Sequence, residues 1–366
     1  MSDSSPQFDV FSPSYLEARA KFCEATTRAG WEHSGYPTGE TGPDGTPLTL
    51  DVASCGDPDA KRVLLVSSGL HGVEGYFGSA LQIAALQNWA PETTLPPQTR
   101  IVFLHGLNPY GFAWIRRVDS HNIDPNRNFL LPEDSFDRPA PRYRRYDRFL
   151  NPNRPPAPFD TFRWIGAAAL LILGPKRLAQ AIAAGQHEYP DGLFFGGQDY
   201  GPTQTLYAAH WKNWVGDDTQ VLHIDFHTGL GKSATWKLLL DTQLTDAELK
   251  RLQEWFGEGS VARGDPEVTY ETSGSIGRWC RSSHSGRYVY VCAEFGTFDA
   301  LSVLSALRSE NQAHRYCQPD EPAWKHAKSR LKEIFCPASP VWRGKVLDEG
   351  TGLIRQAVDG YLPQGF

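Results

Sequence analysis

Residues 62–90 read RVLLVSSGLHGVEGYFGSALQIAALQNWA. The opening run, RVLLVSS (62–68), is apolar and β-branched, the composition of a strand buried on both faces. FGSALQIAALQNWA (77–90) then sets apolar residues at helical spacing and stops before Pro91. A second apolar run, RIVFLHG (100–106), follows. Strand, helix and strand in this order predict a right-handed crossover in a sheet covered on both faces. The turn between the first strand and the helix carries His71 and Glu74, three apart and wrapped in glycines.

Further along, QVLHIDF (220–226), TWKLLLDT (235–242) and RYVYVCAEF (287–295) read as three more strands. TDAELKRLQEWFGEG (245–259) reads as an amphipathic helix opened by a Thr cap. Strands and helices alternate from Lys61 to Arg308, with no repeat of fixed period. Residues 131–162 are rich in Pro, Arg and Tyr and break the alternation. Such an excursion serves as a lid or pocket wall, or is a surface insertion. The tail from 317 contains one more helix, EPAWKHAKSRLKEIF, and then Pro- and Gly-punctuated chain that reads as extended. These features predict one catalytic domain over 1–316, with an insertion near 131–200 and a C-terminal extension, 317–366, packed on it.

A hydrophobic content of 40% with 11 Trp predicts a packed interior. The net charge of −6 gives no polyanion-binding signature, so nucleic acid is not an expected partner. The longest apolar stretch, WIGAAALLILG (164–174), is too short to span a bilayer and reads as a buried helix, so no membrane partner is expected. The first residues lack a secretory signal, and none of the six cysteines forms a C-x2-C pair. Free thiols in a reducing, cytoplasmic setting are the simplest expectation.

Three further stretches carry chemistry. Alternation along 220–226 puts His223, Asp225 and His227 on one side of the chain, His227 standing last, where Thr228-Gly229 opens a loop. A catalytic zinc takes three protein ligands and leaves one position for water. His71, Glu74 and His227 form such a set of two nitrogens and one oxygen, and Asp225 is placed to orient a ligand from behind. His223, earlier in the strand, is the rival ligand. Glu294 ends an apolar, aromatic strand in CAEFGTF (292–298); beside a metal it would take a proton from water and later give it to a leaving amine. The plainer reading is a carboxylate neutralised by a nearby Arg. NPYGFAWIRRVDSHNIDPNRNF (108–129) concentrates Arg116, Arg117, Asn126, Arg127 and Asn128 straight after a strand. Such arginines bind a carboxylate or polarise a scissile carbonyl; the plainer reading is a solvated loop.

Together these pieces resemble the zinc-carboxypeptidase clan, with its carboxypeptidase A-like architecture. The clan's pattern runs H-x-x-E, N-P-D-G, an Arg, D-x-N-R-N-F, a lone His and a strand-borne Glu. This chain has, in the same order, HGVE (71–74), NPYG (108–111), Arg116 and Arg117, DPNRNF (124–129), DFHTG (225–229) and AEFG (293–296). YETSGSIGRW (270–279) is similar to the clan's loop bearing a mobile Tyr. The resemblance implies an α/β fold of phosphorylase/hydrolase-like type, with a mixed, largely parallel twisted sheet and helices on both faces. It implies one Zn2+ on His71, Glu74 and His227, with Glu294 as base and acid. Asn126 and Arg127 would hold a substrate's terminal carboxylate, and Arg117 or its neighbour Arg116 would steady the oxyanion. Tyr270 would close on the substrate, and Ile276 would tune the side-chain pocket towards an apolar group.

The chain departs from that pattern in NPYG, in a shorter Tyr loop and in the long 131–200 region. DFHTG also resembles the aspartoacylase and succinylglutamate desuccinylase branch, which cleaves N-acyl amino acids. GQHEYPDGLFFGGQ (185–198) resembles a bacterial subgroup known as a domain of unknown function. The leading expectation is a zinc-dependent amide or peptide hydrolase of carboxypeptidase type, acting on a small peptide. An N-acyl-amino-acid deacylase is the alternative, and a non-catalytic binding protein the third reading. A serine hydrolase lacks its G-x-S-x-G elbow here.

Overall fold

The computed structural model describes residues 8–157, 162, 184–262 and 273–366. Tyr270 and the apolar stretch 164–174 lie outside the described residues. A seven-stranded mixed sheet runs in the order β1-β2-β4-β3-β5-β7-β6. Its strands are β1 (Glu32–Thr41), β2 (Pro47–Gly56), β3 (Arg62–Ser68), β4 (Thr99–His105), β5 (Gln220–Thr228), β6 (Trp236–Leu239) and β7 (Tyr288–Phe295). The four central strands are parallel, and antiparallel strands close both edges. The longer helices are α1 (Tyr15–Arg28), α2 (Gly75–Gln87), α3 (Pro202–Val215), α4 (Asp246–Phe256), α5 (Ile276–Ser283), α6 (Ala300–Tyr316), α7 (Pro322–Phe335) and α8 (Pro340–Gln364).

Strand alternation sorts the core into two layers. Leu64 and Val66 of β3 join α1, α2, α4 and α8 on one face, while Val63 and Leu65 join α3 and α5 on the other. Each central strand is therefore apolar at successive positions because both of its faces are covered. α2 carries the chain from β3 to β4 on one side, whereas β5 lies on the other side of β3. That reversal opens a crevice beyond the C-terminal ends of β3 and β5, the position where open α/β sheets bind ligands. His71 and His227 lie there.

Thr245 caps α4 in a full capping box with Glu248, as the sequence predicts. The edge hairpin β1–β2 was not predicted. β1 is EHSGYPTGET, polar and half exposed, because an outer strand has no second neighbour to bury it. The tail departs further: residues 340–364 are helical, not extended. Pro340 sits in the first turn, where it costs no hydrogen bond, and the Ser339 hydroxyl accepts from Trp342 N. Glycines in α8 serve close packing: a Cβ at Gly350 would stand 2.5 Å from Leu81 Cδ1, and one at Gly360 would stand 2.4 Å from Trp255 Cδ1. The excursion at 131–157 lies largely at the surface and is anchored by buried Leu131, Tyr143 and Leu150, with Tyr143 donating to Leu193 O (2.8 Å). All six cysteines are free, and among the described residues no helix is long and apolar enough to cross a membrane.

Candidate metal centre

Strand register assembles the site. On the α3/α5 face, β5 presents His223, Asp225 and His227, and β7 presents Tyr288, Tyr290, Cys292 and Glu294. His227 stands directly opposite Glu294, and Asp225 opposite both Ser67 of β3 and Cys292 of β7. The chain leaving β3 turns through a 3-10 segment, Gly72–Glu74, into α2. The Gly72 and Val73 amides donate to the carbonyls of Arg117 and Arg116, satisfying donors that a helix start leaves open. The glycines around His71 have a packing role. A Cβ at Gly72 would come within 2.1 Å of the Gly111 backbone, so the HGVE turn can touch the NPYG turn only with glycine at 72.

His71, Glu74 and His227 are all buried, with one ligand atom from each within 4.8 Å of the others. His71 Nδ1 lies 2.9 Å from Glu74 Oε1, His227 Nδ1 lies 3.0 Å from Glu74 Oε2, and the two Nδ1 atoms are 3.2 Å apart. Tetrahedral zinc with bonds of about 2.0–2.1 Å separates neighbouring nitrogen and oxygen ligands by about 3.3 Å. The far nitrogens are held by carboxylates: His227 Nε2 is 2.7 Å from Asp225 Oδ2, and His71 Nε2 is 3.1 Å from Asp124 Oδ1. Donation from His227 Nε2 to Asp225 would leave its Nδ1 lone pair turned to the cluster, the tautomer a metal requires. Asp225 is fixed in turn by the hydroxyls of Ser67 (2.6 Å) and Tyr290 (3.0 Å). His223 is held apart: Ser67 Oγ and Tyr288 OH lie 2.6 and 2.9 Å from its two nitrogens, and burial lowers its pKa to about 4. It is a core imidazole outside the cluster.

The charges of these groups are tied together. Burial opposes the charge on Glu74, but His71 and His227 outweigh it and hold the carboxyl below its ordinary range. Burial likewise opposes charging His227, yet Asp225 and Glu74 raise it well above the usual imidazole value. Glu294 Oε1 accepts from Leu230 N at 2.8 Å; burial, with Glu74 adding its charge, pushes the Glu294 carboxyl up to about 7. Four buried carboxylates, Glu74, Asp124, Asp225 and Glu294, share the cluster with the guanidiniums of Arg117 and Arg127. The donors, their spacing and this excess of negative charge all fit a divalent cation of zinc type. Asp225→Asn is expected to weaken zinc binding by about 10–100-fold, measured by competition with a chromogenic chelator. Unchanged affinity would remove Asp225 from the site.

The arginine doublet divides its labour. Arg117 borders the cluster, with Nε on Asp124 (3.0 Å), Nη1 near Glu74 (3.4 Å) and Nη2 at 2.6 Å from His71 Nε2. Arg116, expected as an alternative to it, turns to the helices instead and bonds Glu310, Asn311 and Asn122. Its guanidinium is spent there. Asn126 accepts the Ile276 amide at 3.1 Å, and buried Arg127 donates to Asn126 O at 2.7 Å, with Gly185 against its stem. The Ile276 side chain is fully buried in the apolar layer of α3 and α5, so it meets Asn126 through its backbone. Asp124 was missed as a site residue although DPNRNF displays it.

Residues 11–349 match the model of a family described as protein of unknown function, DUF2817, and the chain belongs to that family. No curated protein matches it in sequence. Among solved structures it is similar to a candidate metallopeptidase from Shewanella amazonensis SB2B (15% identity, 88% of this chain and 93% of that one, TM-score 0.45). It is also similar to carboxypeptidase A from Helicoverpa armigera (13%, 92% and 78%, TM-score 0.47). A third is murein-tripeptide amidase MpaA from Escherichia coli O157 (18%, 82% and 91%, TM-score 0.38).

Proposed function

We propose that this protein is a zinc-dependent amide hydrolase of carboxypeptidase type, acting on a small peptide-like substrate that carries a terminal carboxylate. The observation that carries this reading is the pairing of a buried His71–Glu74–His227 cluster with Glu294 opposite His227. His71, Glu74 and His227 would hold the ion, with Asp124 and Asp225 behind the imidazoles. Bound zinc supplies Lewis acidity to the reacting carbonyl. Glu294 takes the proton of the attacking water and returns it to the leaving amine. Arg117 contributes positive charge at the rim, where the carbonyl oxygen gains its negative charge. Asn126 and Arg127 hold the substrate's carboxylate.

The test is a hydrolysis screen of the full chain against dipeptides, murein-type peptides and N-acyl amino acids, with and without a chelator. Peptide hydrolysis abolished by chelation and restored by zinc is expected. Turnover of N-acyl amino acids without peptides would assign the deacylase reading instead, and full activity after metal removal would overturn both.

A further inference from the structure

A second constellation lies away from this site, where α1 crosses the edge hairpin. Cys23 of α1, His33 of β1 and Asp51 of β2 bring one ligand atom each within 4.8 Å of the others. We propose that these three residues form a second zinc site, pinning α1 to the β1–β2 hairpin. His33 Nε2 lies 3.6 Å from Cys23 Sγ and 3.0 Å from Asp51 Oδ1. Tetrahedral zinc with bonds of about 2.3 Å to sulfur and about 2.0–2.1 Å to nitrogen and oxygen separates those pairs by about 3.6 and about 3.3 Å. The existing positions need only small shifts.

Local sequence builds the arrangement. Arg19 and Cys23 are one helical turn apart on α1 and face the sheet together. Arg19 clamps Asp51 with Nε on Oδ2 (2.7 Å) and Nη2 on Oδ1 (3.1 Å). It thereby fixes the carboxylate in place, as partners behind metal ligands do. Gly35 pairs with Asp51 across the hairpin, and a Cβ there would stand 3.5 Å from Asp51 Oδ1, so its absence leaves the carboxylate approachable. His33 is about one-third exposed, which gives an ion an entry path and a water for its fourth position. A thiolate, an imidazole and a carboxylate are a donor set that favours zinc over magnesium or calcium. Burial, with Asp51 adding to it, pushes the Cys23 thiol up to about 11. The thiol therefore gives its proton to solvent as the sulfur–zinc bond forms. His33 exchanges its Nε2 bond to Asp51 for the ion, keeping a proton on Nδ1.

The test compares the full chain with Cys23→Ser, His33→Asn and Cys292→Ser variants, Cys292 being the thiol near the first site. Each is loaded with zinc for metal counting and with cobalt for its sulfur-to-metal charge-transfer absorption. The wild type should hold one equivalent more than Cys23→Ser or His33→Asn. The charge-transfer band should persist in Cys292→Ser and vanish in Cys23→Ser. Equal metal content in wild type and both edge variants, or a band that survives Cys23→Ser, overturns the proposal. Hydrolysis should be unchanged in Cys23→Ser, so loss of this site and loss of the first are read separately.

Discussion

Replacing Glu294 with glutamine should lower kcat by about 10²–10⁴-fold, the range that a positioned general base contributes, while leaving bound zinc unchanged. The substitution is isosteric, and the amide oxygen can still accept the Leu230 N–H that now bonds Oε1 at 2.8 Å. What is lost is a group able to take a proton and return it. Its neighbours sharpen the expectation. Cys292, two residues earlier on the same face, has its thiol pushed well above the ordinary value by burial and by Glu294, so it offers no substitute base at neutral pH. Steady-state kinetics on the substrate found by the screen, with metal analysis of the same preparation, reads both quantities. Wild-type turnover in Glu294→Gln would remove this residue from the chemistry; lost zinc would make it a ligand.

The largest effect on stability is expected at Glu310, far from any reacting atom. Its carboxylate joins Arg116 Nε (2.9 Å) and Lys328 Nζ (2.5 Å), with all three side chains 3% exposed or less. Burial opposes the Glu310 charge, and the two cations outweigh it, Arg116 foremost, keeping the carboxyl below its usual range. Glu310→Ala leaves two buried cations without their anion and should cost about 3–5 kcal/mol, measured by denaturant unfolding. Burial already lowers Lys328 to about 8, so it sheds its proton readily once Glu310 is gone. That release limits what it adds to the penalty. A loss below about 1 kcal/mol would mean that the trio behaves as a solvated surface pair.

Much of this was readable before any coordinates. Runs such as 62–68 and 220–226 are apolar throughout because both faces of a central strand are covered, and that composition survives in one dimension. His71 and Glu74 were legible in the turn that follows β3, and His227 and Glu294 near the ends of β5 and β7, where polar residues interrupt apolar runs. β1 and α8 were not. β1 is polar because it lies outermost, and α8 carries Gly350 and Gly360 because Leu81 and Trp255 press against it. Both reasons exist only once neighbours are known. The same holds for Arg116 and Arg117: adjacent in sequence, they diverge because Glu310 waits on one side and Asp124 on the other.

The carboxylates behind the imidazoles carry a last consequence. Glu74, Asp124 and Asp225 are all but inaccessible to solvent, buried together with the imidazoles of His71 and His227 beside an apolar layer. Side chains of that kind work against folding, and apolar replacements of similar size would relieve the chain of their desolvation. A protein using this scaffold only as a platform would grow more stable by shedding them. These carboxylates and their cationic neighbours depend on one another, and removing a single partner would leave a buried charge uncompensated.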